Sequence, residues 1–259
     1  MQNQDKPKVD KAALDAALEA LKTFDWGTTV AVPGPGKPPQ DRGTLKPIDD
    51  AVVATHGDAA ARKELETKLA AVLKANPSRA AKDFICRKLM IIGTAECVPA
   101  LAALLADKDN SHMARFALER ISAPEAGAAM REALPKVSGA LKAGVIGSLG
   151  ARRDAASVEA IAAALADSDK AVAAAACCAL GTIGTAEAAK AVCEFAKMAP
   201  EGVKDAAVDG CLACAERLLA DGKKADAAAI YKAFAGADQP KHVRQAATRG
   251  ILAVAGKKE

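Results

Sequence analysis

Cys211-x-x-Cys214 is the one spacing in this chain that could bind zinc, exchange disulfides or attach haem. A zinc site asks for a second pair or adjacent histidines, and a thioredoxin-like site asks for surrounding strands. Haem attachment asks for histidine at position 215, which is Ala215. With these companions lacking, the pair reads as two core residues one helical turn apart. Cys86, Cys97, Cys177, Cys178 and Cys193 also fall inside apolar helical patterns, as expected of reduced, buried small hydrophobes. His56, His112 and His242 are scattered, with no ligand spacing among them. No metal and no cofactor is therefore expected. The chain holds neither a glycine-rich phosphate loop ending in Lys-Ser or Lys-Thr nor a Gly-x-Ser-x-Gly elbow, and Asp167 and Asp169 flank a turn as helix caps. With no catalytic constellation, the expectation is a protein that is not an enzyme.

What remains is a set of charges suited to holding a partner. His112 opens a helix that carries Arg115 and Glu119 four apart on one face, placed to pair with each other. Arg120, the Arg152-Arg153 dipeptide, Arg244 and Arg249 extend this set into a candidate partner-binding surface. The overall balance is mild: 36 basic and 32 acidic side chains give a net charge of +4, too little to argue for nucleic acid unless the fold sorts it onto one face. The longest apolar runs, such as Ala171 to Leu180, fall well short of the roughly 20 residues a bilayer span needs. Met1 precedes a polar segment, Gln2 to Asp10, with no apolar signal region behind it. A cytoplasmic start gives that pattern. So does an exported, periplasmic protein whose leader has been replaced by a methionine.

The elements that position these residues are helices. Half the residues are apolar but only 3% are aromatic, and alanine with Leu, Val and Ile makes up the bulk, a profile for close helix-on-helix packing. Val9, Leu14, Leu18 and Leu21 give an amphipathic helix over residues 9–23. Gly27 to Pro47 then carries Pro33-Gly34-Pro35-Gly36-Lys37-Pro38-Pro39, which cannot hold a helix and reads as a linker. Trp26, beside Phe24, is expected to pin this extension onto the rest.

From Ile48 onward the pattern repeats. Gly93-Thr94-Ala95-Glu96 recurs as Gly184-Thr185-Ala186-Glu187, each after a helix ending in Leu-x-x-Ile. Further helix ends at Leu118-x-x-Ile121 and Ile146-x-x-Leu149 set a unit of about thirty residues. Leu105-Ala106-Asp107-Lys108-Asp109 and Leu165-Ala166-Asp167-Ser168-Asp169 mark the turn half a unit away. Each unit is a helix, an Asp-bearing turn, a second helix and a stop. Thr94, Thr185 and Asp154 are expected to cap helix starts, and Gly93, Gly150 and Gly184 to take the left-handed conformation at helix ends. One such pair alone would leave an apolar face in water, so the pairs must stack.

The stretches His112-Met113-Ala114-Arg115-Phe116-Ala117-Leu118-Glu119, Gly147 to Asp154, Ala179 to Gly184 and Val243 to Ile251 resemble the HEAT-repeat family, bacterial HEAT proteins in particular, over about two thirds of the chain. The resemblance implies an all-α, right-handed α-solenoid of helix pairs. The expected organisation is an N-terminal helix and Pro/Gly-rich extension (1–47), HEAT-like repeats (48–214) and a C-terminal continuation (215–259), part of which, Ala215 to Phe234, resembles a tetratricopeptide pair. The family often links its units by a ladder of turn Asp and second-helix Arg. Asp169 and Arg244 keep that pattern, but Ala173 breaks it, so apolar packing must carry the stack. Such stacks present long curved surfaces, and the leading expectation is a scaffold docking a protein or peptide on the face lined by second helices. The alternatives are nucleic-acid binding or a HEAT-like DNA glycosylase, a HEAT-like lyase, and self-assembly into an oligomer through an uncapped end.

Overall fold

The computed structural model describes residues 9–25 and 42–256. Trp26, the Pro/Gly-rich run as far as residue 41 and residues 257–259 lie outside the described residues; the end of the expected linker, residues 42–47, is instead helical, with a 3-10 turn over Arg42–Leu45 leading into the next helix, Pro47 in its first turn and Leu45 buried. Within them the chain is helical, with no strand. Two compact units form, Met1–Met130 and Arg131–Glu259.

In the first unit, α1 (Lys11–Thr23) starts where the Asp10 side chain accepts from the amides of Ala12 and Ala13. Its stripe Leu14, Leu18 and Leu21 is buried, as its period requires. The chain then forms α2 (Lys46–Ala54), α3 (Ala59–Lys74), α4 (Arg79–Ile92), the short α5 (Val98–Ala102) and α6 (Ser111–Arg120). Asp58 and Ser78 cap α3 and α4. Phe24 is buried, and the Ser78 hydroxyl donates to its carbonyl, which fastens the end of α1 to the start of α4. Two helix pairs, α3 with α4 and α5 with α6, stack so that first helices touch first helices and second helices touch second helices. Leu69, Ile85, Leu89, Leu101, Leu105 and Leu118 fill the layer between them.

A buried carboxylate links these pairs. Glu66 on α3 is fully buried, and it accepts from the Thr94 amide at 2.7 Å, the Cys97 amide at 3.1 Å and the Thr94 hydroxyl. These are free N–H groups at the start of the next first helix, where a negative charge is favoured.

The second unit continues the same order: α7 (Pro124–Ala133, within which the division of the chain falls), α8 (Gly139–Ala151), α9 (Val158–Ala163), α10 (Lys170–Ile183), α11 (Ala186–Ala196), α12 (Lys204–Ala220), α13 (Lys224–Ala233) and α14 (Lys241–Gly256). The second helices α8, α10, α12 and α14 each pack on the next, and α9 packs on α11. This is the expected α-solenoid packing of successive helix pairs.

Small residues set how closely the second helices approach. A Cβ on Gly150 would sit 2.9 Å from the Cα and Cβ of Ala179, and one on Gly181 would sit 3.0 Å from the Cα of Gly210. Gly150 therefore lies inside α8 at a contact between helices. The expected left-handed stop is absent there, and also at Gly93, whose φ is −66° and whose added Cβ would meet the Leu89 carbonyl at 2.4 Å. Gly184 does take the left-handed conformation, at φ 67°, and ends α10. Arg153, at φ 55°, takes the same role for α8 without being glycine, with Arg153 and Asp154 amides closing onto Gly150 and Leu149.

Thr94 and Thr185 cap as expected, but Asp154 makes no cap hydrogen bond. Its carboxylate instead receives Arg131 on both oxygens, at 2.6 and 2.7 Å. Lys142 on α8 likewise reaches Asp167 in the following turn at 2.7 Å. Ion pairing between repeats thus exists, through these pairs in place of the Asp169 and second-helix arginine pattern, while Asp169 caps Ala171.

Candidate functional site

The helix carrying His112, Arg115, Glu119 and Arg120 is α6, and its neighbour α4 lies alongside it. Between them runs a cavity of about 350 Å³, lined from α4 by Asp83, Cys86 and Arg87 and from α6 by His112, Met113, Arg115, Phe116 and Glu119. The cavity exists because the buried stripe of α6, Met113, Ala114, Ala117 and Leu118, faces inward, leaving Arg115, Phe116 and Glu119 along its edge.

Phe116 is 42% exposed. On α4, Ile91 is 52% exposed and sits one turn beyond Arg87, so each helix offers a large apolar side chain to solvent beside charged ones. Arg87 pairs with Asp83 at 2.9 Å along α4. Arg115 is half-buried; loss of hydration pushes its guanidinium down from the ordinary value, and the Glu119 carboxylate opposes that shift. His112 is exposed at the start of α6, and Arg120 is exposed at its end.

The other predicted residues go elsewhere. Arg152 and Arg153 follow α8, and the Arg153 guanidinium donates to the Ile183 carbonyl at 3.4 Å, at the C-terminal end of α10. Arg244 on α14 donates to the Ala237 carbonyl at 3.1 Å, and Arg249 is exposed on the same helix. Since α10 and α12 lie between α8 and α14, these arginines make no common patch. The residues not foreseen are Asp83, Cys86, Arg87, Met113 and Phe116. The Asp83–Arg87 spacing of four was visible in the sequence, but its register against α6 depends on packing.

Among the described residues no group of three or more His, Cys, Asp or Glu side chains is arranged to hold a metal ion. The Cys211 and Cys214 thiols of α12 are buried, and Cys214 donates to the Leu180 carbonyl of α10 at 3.4 Å; burial pushes it up to about 12. Cys178 is exposed and Cys193 half-buried, so two of the seven depart from the expected core role. No helix among the described residues is long and apolar enough to cross a membrane.

A family model for HEAT repeats matches residues 127–210, the segment that runs from α7 into α12. Residues 127–210 are HEAT repeats. HEAT repeats commonly serve as scaffolds for protein interactions and are typically non-enzymatic. Among solved structures, the chain is similar to an engineered protein at 18% identity and a TM-score of 0.39, with 80% of this chain and 96% of that one covered. A search of curated proteins finds no match.

Proposed function

We propose that the chain is a non-catalytic scaffold that docks a peptide segment of a protein partner in the groove between α4 and α6. The observation that carries this reading is the exposure of Phe116 on the wall of that groove, beside Arg87, His112 and Arg115 and the acids Asp83 and Glu119. Exposed aromatic and arginine side chains flanking a concave site are the groups that contribute most to protein association. The chemistry suits a segment with an apolar side chain to cover Phe116 and a carboxylate to meet Arg115, which is partly stripped of water, with Asp83 and Glu119 on the same wall to exclude strongly acidic segments.

A benzophenone amino acid placed at position 116, and separately at exposed Val53 on α2, tests the reading in the native host. A discrete crosslinked polypeptide from position 116, absent from position 53 and lost on Arg115→Glu, is expected. The same products from both positions, or crosslinks to nucleic acid at position 116, would overturn it.

A further inference from the structure

In the second unit the first helices α11 and α13 are separated by a cavity of about 470 Å³, floored by Val208 of α12. Ala229 and Ile230 of α13, with Phe234 just beyond it, make the remaining apolar wall, and Cys193 of α11 completes it. The volume is in the range of roughly 300–1,000 Å³ typical of small-molecule sites. Lys197 and Lys204 are the charged groups on the lining; both are exposed, and neither enters an ion pair among the described residues. An apolar body with two cations at its edge and no acid on its wall matches an amphipathic anion.

We propose that this cavity binds an aliphatic carboxylate of the fatty-acid class, with its tail between Val208, Ile230 and Phe234 and its headgroup at Lys197 and Lys204. The Cys193 sulfur receives the Cys211 thiol as donor and feels Lys197, and it is held below the ordinary thiol range although burial pushes the other way. Gly210 lets α12 approach both neighbours, since a Cβ there would sit 2.7 Å from the Cys177 carbonyl of α10 and 3.0 Å from Val192 of α11.

Titration calorimetry of the whole chain with octanoate and decanoate, below their micellar range, tests the proposal. One saturable site is expected, tightening about fourfold for each methylene buried. Lys197→Ala with Lys204→Ala should weaken decanoate about fivefold while leaving decanol unchanged. Ala229→Phe, at an exposed position on the wall, should abolish binding by filling the space without disturbing the core. Decanoate should also slow alkylation of Cys193 by iodoacetamide, with exposed Cys178 unaffected as the internal control. Absence of saturation, affinity independent of chain length, binding that survives Ala229→Phe, or decanoate binding indifferent to the lysines would each overturn it.

Discussion

Gly147 and Gly150 sit in the same helix, α8, and should respond in opposite ways to the same added methyl group. Gly147 is exposed, and a Cβ there meets nothing within 4 Å. Gly150 is buried, and its Cβ would lie 2.9 Å from both the Cα and the Cβ of Ala179 on α10. Glycine inside a helix is less favourable than alanine by about 0.5–1 kcal/mol, so Gly147→Ala should stabilise by that amount. Gly150→Ala gains the same but forces a methyl against a neighbouring backbone that cannot rotate away, and overpacking of this kind costs about 1–3 kcal/mol. The net expectation is a loss of about 0.5–2 kcal/mol, and a gap of about 1–3 kcal/mol between the two variants. Urea unfolding followed by circular dichroism would read that gap as a difference in midpoint of about 1 M. If Gly150→Ala unfolds at or above the wild-type midpoint, close approach of α8 and α10 does not set the stack, and the reasoning fails.

Glu66→Ala leaves the Thr94 and Cys97 amides without their acceptor and should destabilise by about 2–3 kcal/mol, with faster amide exchange confined first to residues 94–98. A double-mutant cycle on Arg131 and Asp154 should give a coupling of about 1 kcal/mol that shrinks in high salt, since both side chains are partly exposed. Asp167 is held below its ordinary value near 3.8, chiefly by the Lys142 hydrogen bond, and Asp107 likewise by Asn110. Their stabilisation is complete above the ordinary carboxylate value and disappears as pH falls through the lowered folded values. Asp167→Asn should accordingly be less stable than wild type at pH 7 and equal to it at pH 2, as measured by thermal melting at both.

The repeat was legible because its markers are local. Leu-x-x-Ile ends, Asp-bearing turns and threonine caps depend on residues three or four apart, and α4, α10 and α11 begin or end where those markers lie. Glycine was less readable. At Gly93 and Gly150 the residue answers the approach of a neighbouring atom and not a backbone angle, and only the packed structure distinguishes the two. The same holds for ions: Arg131 and Asp154, and Lys142 and Asp167, lie too far apart in sequence for helical spacing to pair them. Of the candidate surface, His112, Arg115 and Glu119 share a groove because they share a helix face. Arg152 and Arg153 do not join Arg244 and Arg249, because their meeting would require α10 and α12 to be elsewhere.

Hydrogen exchange of the intact chain in low urea tests most directly whether these helices form a row in which each pair leans only on its neighbours. In such a row α10, held between α8 and α12, opens last, and α13 and α14 open earlier with a smaller free energy and a smaller urea slope. If the amides of α8, α10, α12 and α14 all exchanged with one common free energy and slope, the helices would be locked as a single bundle, and the account of a stack of pairs would be contradicted.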